Sequence, residues 1–254
     1  MKLLLISNST NYKESYLEWC LPLIEEFLKN EKKNILFFPY AGVKIGGKNF
    51  PESYDVYLER VKGILDEKGF CVTSIHQAKC PVEAVNRAEV IVVGGGNTFN
   101  LVAEIHKNRL IEPVRRKVRE GVPFIGWSAG ANVACPTLRT TNDMPIIMPE
   151  NFDCFDFVPF QINPHYLDPY PEEINDKIRH GGETRQDRIN EFLSLNPEVT
   201  VAGLREASAL WVEDGTITLK GSRNLRIMRH EQPEIEIKPE SIFDFSFNNK
   251  IIKQ

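Results

Sequence analysis

The residues best suited to chemistry lie in one stretch, V-P-F-I-G-W-S-A-G-A-N-V-A, which runs from Val122 to Ala134. Apolar residues of strand character lead into G-W-S-A-G, and small residues that are compatible with a helix follow. Ser128 therefore falls where a strand turns sharply into a helix, the position of a nucleophile elbow. Glycine on either side lets the strand and the helix approach closely around a strained serine. A tight turn with no catalytic role is the alternative interpretation.

An activated serine needs a base within hydrogen-bonding reach and a carboxylate that holds the base in the correct tautomer. The chain contains five histidines. Of these, His165 follows a strand in the part of the chain beyond the serine and directly precedes an irregular loop. Lone histidines are more often structural than catalytic, but this placement favours His165 as the general base.

A run of three glycines, Gly94-Gly95-Gly96, follows the apolar segment Val90–Val93. Ligands of open α/β sheets bind beyond the carboxyl ends of the strands, where bare backbone N–H groups are suited to holding an anion. Half of an oxyanion hole, a phosphate cradle and a flexible turn all remain open as interpretations. A dinucleotide fingerprint is excluded because Phe99 occupies the third glycine position, and no G-K-[ST] follows to make a P-loop.

Alternating strand and helix patterns must position these residues. In the first half of the chain, strands are predicted at Leu3–Ser7, Asn34–Tyr40, Phe70–Ile75, Val90–Val93 and Val122–Ile125, and helices at Tyr16–Leu28, Tyr54–Lys68, Pro81–Ala88, Thr98–Lys107 and Leu110–Glu120. This alternation predicts a mostly parallel sheet with helices on both faces.

The composition and periodicity of the sequence change after the serine. Residues 137–160 are rich in Pro, Asp, Asn and Met without periodicity, and the strand F-Q-I that follows is broken by Asn-Pro, which leaves His165 at a strand end. Further on, a helix is predicted at Gln186–Leu195 and strands at Val199–Leu204, Ala209–Glu213, Ile217–Leu219, Leu225–Met228 and Glu234–Ile237. We expect antiparallel edge strands, then a polar tail, and a single α/β domain over residues 1–254.

Composition excludes several classes of protein. With 254 residues, 42% of them hydrophobic, the chain can bury a full core, and its net charge of −4 lacks the basic footprint of a nucleic-acid-binding protein. The chain has no apolar run of roughly 18 residues that would span a membrane, and the apolar start is too short for a signal peptide. Five scattered cysteines without C-x-x-C spacing predict reduced thiols in a cytoplasmic protein, with neither a metal site nor a cofactor.

Four stretches of the chain match a known family in long runs. They are V-G-G-G-N-T-F (93–99), G-W-S-A-G-A-N-V-A-C-P-T-L-R-T-T-N-D-M-P (126–145), Q-I-N-P-H (161–165) and G-E-T-R (182–185). Together they resemble the peptidase E, or aspartyl dipeptidase, family over most of residues 85–215. The resemblance implies a flavodoxin-like α/β fold, related to class I glutamine amidotransferases with serine in place of cysteine. It also implies hydrolysis of dipeptides that begin with aspartate, and a homodimer.

The resemblance also assigns catalytic roles. Ser128 resembles the family's nucleophile, and His165 resembles its general base. The third position stays open, because Asp143 of T-N-D-M-P and Glu206 of G-L-R-E both match residues that have been placed beside the histidine. Either carboxylate could accept the Nδ1 proton.

The expected mechanism needs donors for the negative charge that develops on the substrate. Ser128 attacks the aspartyl carbonyl, and the backbone N–H groups of Ala129 and of Gly95 or Gly96 are expected to hold the tetrahedral oxyanion. Water then releases the acyl group.

Selection of an acidic substrate needs a cation, since burying an unpaired carboxylate is costly. Arginine binds a carboxylate with two parallel hydrogen bonds. The resemblance favours Arg185 of G-E-T-R, and Arg139 of T-L-R-T-T is the second candidate, for which a structural ion pair is an equally good explanation. Asn97 and Thr141 are candidate neutral donors, although both residue types are also common in turns.

Three other functions remain open at this point. An esterase of the α/β-hydrolase class shares G-x-S-x-G, but its histidine normally lies near the end of the chain. A non-enzymatic module would use the three glycines to bind a phosphate ligand. Cyanophycinase shares the fold and the serine and cleaves β-aspartyl-arginine.

Overall fold

The computed structural model of the chain describes residues 1–29, 33–169 and 182–247. Its strands are β1 (Lys2–Ile6), β2 (Asn34–Phe38), β3 (Cys71–Ser74), β4 (Val90–Val93), β5 (Phe124–Trp127), β6 (Gln161–Pro164), β7 (Val201–Leu204), β8 (Ser208–Glu213), β9 (Thr216–Gly221), β10 (Leu225–Met228), β11 (Ile235–Ile237) and β12 (Ile242–Asp244). Its α-helices are α1 (Leu21–Phe27), α2 (Phe50–Leu65), α3 (Pro81–Arg87), α4 (Thr98–Lys107), α5 (Ile111–Arg119), α6 (Ala129–Asn132) and α7 (Arg185–Leu195).

The strands form two sheets. The larger has eight strands in the order β12-β9-β8-β1-β5-β4-β2-β3, in which β1, β5, β4, β2 and β3 run parallel and β8, β9 and β12 are antiparallel. The smaller has four strands in the order β11-β10-β7-β6, with β6 and β7 parallel. The predicted α/β class, with a mostly parallel sheet and antiparallel strands toward the end of the chain, is confirmed.

The central strands of the larger sheet, β1, β2, β4 and β5, are buried on both faces, which explains why they are nearly continuous apolar runs. Along β1, Leu3 and Leu5 pack into one core cluster, while Leu4 and Ile6 pack into another. Helices α4 and α5 contribute to the first cluster, and α1 and α2 contribute to the second. Among the described helices, none combines the length and the apolar character that crossing a bilayer requires.

The first predicted helix is shorter than its apolar spacing indicates. Residues from Tyr16 were expected to be helical, but α1 begins at Leu21. Leu17 has a φ of 63°, in the left-handed region, and Pro22 occupies the first turn of the helix. A proline at this position starts a helix more readily than it continues one, so the preceding residues form turns instead.

The end of the chain departs from prediction in two ways. Residues 225–237 form antiparallel strands with β11 at an edge, as expected, but these strands belong to a second sheet, where β10 pairs with β7. The polar tail contains a strand, since β12 pairs with β9 and buries Phe243 against the core. A short segment in which apolar residues are interspersed with Ser and Asp, as in S-I-F-D-F-S-F at 241–247, is too weak a pattern to predict a strand of three residues.

The carboxyl ends of the parallel strands meet at one edge of the larger sheet, as open α/β sheets require. Ser7 follows β1, the glycines follow β4, and Ser128 follows β5. The smaller sheet abuts this edge, because the Ser7 hydroxyl donates a hydrogen bond to the Leu204 carbonyl at 2.8 Å. Strand ends of the larger sheet and of the smaller sheet therefore meet at the edge that carries Ser128.

The glycines of the turn after β5 provide a test of this packing. A Cβ on Gly126 would lie 2.2 Å from the Gly130 carbonyl oxygen, whereas a Cβ on Gly63 in helix α2 would meet no atom within 4 Å. We expect Gly126→Ala to lower the free energy of unfolding by about 1–3 kcal/mol through overpacking. The matched control Gly63→Ala should raise it by about 0.5–1 kcal/mol. Urea unfolding measures both, and wild-type stability in Gly126→Ala would contradict the close approach.

Candidate active site

Ser128 occupies a strained turn between β5 and α6. Its φ is 55° and its ψ is −114°, and its N–H donates to the Ile6 carbonyl at 2.9 Å. A side chain on Gly130 would put a Cβ 2.1 Å from the Val93 carbonyl oxygen, so α6 can lie against β4 only with glycine there. The serine hydroxyl is thus presented at the edge of the sheet by a backbone that the neighbouring strands hold in place.

The imidazole of His165 lies between the serine and a carboxylate. Nε2 is 2.9 Å from the Ser128 Oγ, and Nδ1 is 2.7 Å from the Glu206 Oε1. His165 follows β6 with a φ of 51°, and its backbone N–H donates to the Ser7 hydroxyl at 2.9 Å. The structure therefore brings together a hydroxyl, an imidazole and a carboxylate in the order that nucleophilic catalysis requires.

Glu206 lies between two residues that are firmly held. On one side, the Arg205 guanidinium binds the carboxylates of Asp168 and Glu236 at 2.6 and 2.9 Å. Hydrogen bonding to Asp168 raises the pKa of Arg205, and the same bond lowers the pKa of Asp168. On the other side, the Ala207 N–H donates to a side chain of the segment after β1. The backbone that carries the Glu206 carboxylate is thereby anchored at both ends.

Asp143, the other candidate carboxylate, binds different partners. Its Oδ2 accepts hydrogen bonds from the Thr98 N–H at 2.7 Å, the Thr98 hydroxyl at 2.6 Å and the Thr141 hydroxyl at 3.1 Å. It lies at the N-terminus of α4, where the helix dipole favours a negative charge. Of the two carboxylates, the one hydrogen-bonded to the imidazole is Glu206.

The glycine loop after β4 packs directly against the serine. A Cβ on Gly95 would lie 2.8 Å from the Ser128 Cβ, and a Cβ on Gly96 would lie 2.2 Å from the Ala41 carbonyl oxygen. Gly96 also has a φ of 135°, which residues with a side chain rarely adopt. The loop therefore brings bare backbone alongside the serine hydroxyl.

A buried tyrosine fixes one peptide group of that loop. The Tyr57 hydroxyl donates to the Gly95 carbonyl at 3.0 Å and accepts from the Trp127 indole N–H, also at 3.0 Å. The Tyr16 hydroxyl donates to it as well, at 3.1 Å. Burial raises the pKa of Tyr57, which keeps the hydroxyl proton available for donation. The orientation of the Gly95 peptide is thus determined from outside the loop.

Two cavities meet at Ser128 and His165. The smaller, of about 220 Å³, is also lined by Arg185, Asp143 and Thr141, and by Thr98, Ala129, Asn142 and Pro164. The larger, of about 380 Å³, is also lined by Ser9, Thr10, Tyr16, Ile45, Tyr57, Arg60, Gly95 and Gly96. A substrate whose scissile bond lies at the serine would extend into one cavity on each side of that bond.

Arg185 begins helix α7 directly after its capping residue, Thr184, and lines the smaller cavity. Its guanidinium donates a hydrogen bond to the His165 carbonyl. Among the described residues, no carboxylate lies within ion-pairing distance of it, and burial lowers its pKa. A partly desolvated guanidinium without an anionic partner is suited to binding a carboxylate from a ligand.

Two of the other three candidate binding residues, Arg139 and Asn97, have structural partners and lie outside the cavities. Arg139 lies outside both cavities: its guanidinium donates to the Asn196 side chain at 3.0 Å and lies 5.0 Å from the centre of the Phe192 ring. The sequence analysis offered a structural ion pair as the alternative role of Arg139, but the contacts observed are with the neutral side chains of Asn196 and Phe192. Asn97 caps helix α4 by accepting from the Asn100 N–H at 3.1 Å, and it lies outside both cavity linings.

Sequence analysis did not single out several residues that support the site. Ser7 binds the His165 backbone, the Asn8 side chain accepts from the Ala207 N–H at 2.8 Å, and Tyr57 holds the glycine loop. The sequence could have indicated Ser7 and Asn8 as site residues, because both are polar residues directly after a buried strand, as His165 is. Tyr57 had no local signal, because its role depends on the packing of α2 against two strands.

A serine on a strand-to-helix turn, hydrogen-bonded to a histidine at the edge of a mostly parallel sheet, defines a serine-type hydrolase. The family model described as peptidase family S51 matches residues 3–220, and the chain belongs to this family of serine peptidases. Membership removes the esterase and the non-enzymatic phosphate-binding module from consideration.

Known relatives agree with this membership. The chain is 41% identical over 244 residues to a protein of Nostoc sp. named peptidase E, with 96% of each chain covered. It is 42% identical over 238 residues to the peptidase E of Salmonella paratyphi A, covering 94% of this chain and 98% of the relative. The solved structure of a peptidase from an acI-B1 actinobacterium shares the fold, with a TM-score of 0.62 at 18% identity and 96% of each chain covered.

The Tyr57 hydrogen bonds lead to a kinetic prediction. Tyr57→Phe removes the donor to the Gly95 carbonyl, so the neighbouring N–H groups lose their fixed orientation. We expect kcat for peptide hydrolysis to fall about tenfold, less than the roughly 10²–10³ lost with a whole oxyanion donor, while KM changes little. Tyr54→Phe is the matched control on the same helix, because the Tyr54 hydroxyl contacts Asn100 instead. Steady-state kinetics that show an equal fall in both variants would contradict the role given to Tyr57.

Proposed function

We propose that the protein is a dipeptidase that hydrolyses Asp-Xaa dipeptides, with Ser128 as nucleophile, His165 as general base and Glu206 as the orienting carboxylate. The observation that carries the proposal is the continuous pair of hydrogen bonds from the carboxylate through the imidazole to the hydroxyl, at 2.7 and 2.9 Å. Family membership and the relatives named peptidase E support peptide hydrolysis, and the resemblance of the four sequence stretches to the aspartyl dipeptidase family supports the restriction to Asp-Xaa dipeptides.

Acylation follows from this arrangement. His165 Nε2 accepts the hydroxyl proton as the Ser128 Oγ attacks the aspartyl carbonyl, and the imidazolium then donates that proton to the leaving amine. The backbone N–H groups of Ala129 and of Gly95 or Gly96 stabilise the oxyanion. Water, deprotonated by the same imidazole, attacks the ester and releases aspartate. Each proton removed in one step is returned in the next, so the enzyme is regenerated unchanged.

Glu206 is the better third member for a geometric reason. Its carboxylate accepts from Nδ1, which fixes the tautomer that leaves Nε2 free to accept the serine proton. Asp143 has its Oδ2 committed to Thr98 and Thr141 at the start of α4. We therefore assign Asp143 to holding the wall of the smaller cavity rather than to orienting the imidazole.

Arg185 is the residue that selects the acidic side chain. It lines the smaller cavity beside Ser128, and it is the partly buried cation there, with no described carboxylate within ion-pairing distance. The β-carboxylate of an N-terminal aspartate would supply the missing charge. Thr141, which lines the same cavity and whose hydroxyl is hydrogen-bonded to Asp143, adds a neutral polar residue to that subsite.

The carboxylate assignment is tested by paired substitutions. We expect Ser128→Ala to abolish hydrolysis of Asp-Leu and Glu206→Gln to lower kcat by about 10²–10⁴, since an amide no longer imposes the required tautomer. Asp143→Asn should lower kcat less than tenfold. Kinetics are measured with and without a chelator, which should have no effect on wild-type turnover. A larger loss in Asp143→Asn than in Glu206→Gln would reverse the assignment.

Specificity is tested with Asp-Leu, Glu-Leu, Ala-Leu and β-Asp-Leu. Arg185→Ala is expected to lower kcat/KM for Asp-Leu by about 10- to 150-fold, the loss of a charge-assisted hydrogen bond of about 1.5–3 kcal/mol, and to leave Ala-Leu almost unaffected. Arg139→Ala is the matched control and should retain wild-type preference. An equal loss on both substrates would point to a structural role for Arg185, and a wild-type preference for β-Asp-Leu would favour a cyanophycinase-like activity.

The resemblance implies a homodimer and the cysteine content favours the cytoplasm, and we propose both. Four large apolar side chains are exposed in the short segment after Asp143, at Met144, Ile146, Ile147 and Met148, which supports an interface between copies there. All five cysteines are free thiols, two of them exposed, which suits a reducing compartment.

A further inference from the structure

The larger cavity at Ser128 carries a second arginine that the proposed mechanism does not use. Arg60 lines that cavity, whose lining shares only Ser128 and His165 with the lining of the Arg185 cavity. It lies on helix α2 three residues after Tyr57, and residues at this spacing share a helix face. The face that holds the glycine loop therefore also carries a positive charge beside the serine.

The charge on Arg60 is available to a ligand. Among the described residues, no carboxylate lies within 4.0 Å of its guanidinium, whose carbon lies 5.6 Å from the centre of the Tyr16 ring. A guanidinium over an aromatic face is held in direction while its N–H donors stay free. Ser9 and Thr10 line the same cavity and make that part of its wall polar.

The position of the scissile bond determines what each cavity receives. Ser128 and His165 line both cavities, so the acyl half of a bound peptide enters one and the leaving half enters the other. With the aspartyl residue beside Arg185, as the proposed function has it, the leaving residue lies in the larger cavity. In a dipeptide that residue carries the free α-carboxylate, two bonds from the amine that departs.

We propose that Arg60, steadied by Tyr16, binds the α-carboxylate of the leaving residue and so restricts the enzyme to dipeptides. The inference rests on the proposed function, because it takes the Arg185 cavity as the aspartyl subsite.

Chain length explains why such a contact would discriminate. Each added residue moves the C-terminal carboxylate about 3.3–3.6 Å further along an extended peptide. A tripeptide or a C-terminal amide presents a neutral group to Arg60, and the guanidinium then gains no ionic partner. Two arginines in the two cavities that meet at the serine thus match the two carboxylates at opposite ends of an Asp-Xaa dipeptide.

A structural role for Arg60 predicts a different result. If Arg60 served only to hold Tyr16 and the segment after β1, its loss would disturb the site for every substrate alike. A substrate pair that differs only in the terminal charge separates the two explanations.

The experiment compares kcat/KM for Asp-Leu and Asp-Leu amide in the wild type, Arg60→Gln, Arg60→Lys and Arg119→Gln. Arg119 is an exposed arginine at the end of α5, outside both cavities, so its variant controls for the change in net charge. The wild type is expected to prefer Asp-Leu at least tenfold, a ratio that matches one exposed charge-assisted hydrogen bond. Arg60→Gln should bring the ratio close to one, Arg60→Lys should keep part of it, and Arg119→Gln should keep all of it.

Several results would overturn the inference. If the wild type hydrolyses Asp-Leu and Asp-Leu amide equally well, the inference about Arg60 is wrong, whereas the proposed function stands. This comparison uses only the wild type and so does not depend on whether a variant folds. A ratio that Arg60→Gln preserves, with both rates lowered together, assigns Arg60 to structure. If the wild type hydrolyses neither substrate, the proposed function fails and the inference fails with it.

Discussion

The site depends on how one imidazole is held between two sheets. Ser128 belongs to the eight-stranded sheet, whereas His165 and Glu206 follow neighbouring parallel strands of the four-stranded sheet. The 2.9 Å contact between imidazole and hydroxyl therefore exists only when the sheets dock in register. The Ser7 hydroxyl fixes that register, since it accepts from the His165 N–H and donates to the Leu204 carbonyl. Positive φ angles at Ser128 and His165, each costing about 1–3 kcal/mol, are sustained by this docking.

The arginines of this molecule are of two kinds, those paired with carboxylates and those that line a cavity without a carboxylate partner. Arg205 is bound by the carboxylates of both Asp168 and Glu236, so its role is to anchor a strand end, and only the loss of both partners would leave its buried charge unmatched. Arg60 and Arg185 line the two cavities that meet at the serine, with no described carboxylate in ion-pairing range. Cations left without partners beside a nucleophile favour an anionic substrate, whereas a paired cation favours a rigid backbone.

Local patterns predicted the strand and the helix on either side of the glycine loop but not the contacts between elements. The strand Val90–Val93 and the helix Thr98–Lys107 occur with the predicted bounds, because an apolar run, a glycine turn and an Asn97 cap are all local signals. The approach of Glu206 to His165 joins residues 41 apart on adjacent strands, and no spacing rule encodes that pairing. The second sheet was likewise missed, since strand partners are set by tertiary packing.

Asp143 illustrates why similarity of sequence does not by itself assign a role. The T-N-D stretch and the G-G-G-N-T stretch are far apart in the chain, yet Asp143 joins them by accepting hydrogen bonds from Thr98. Removing that carboxylate would leave the first N–H group of α4, that of Thr98, without its partner and would loosen the loop beside Ser128, which would lower activity without any change in proton transfer. A loss of activity at this position is therefore expected from a positioning residue as well as from a catalytic one, and the imidazole contact is what separates the two.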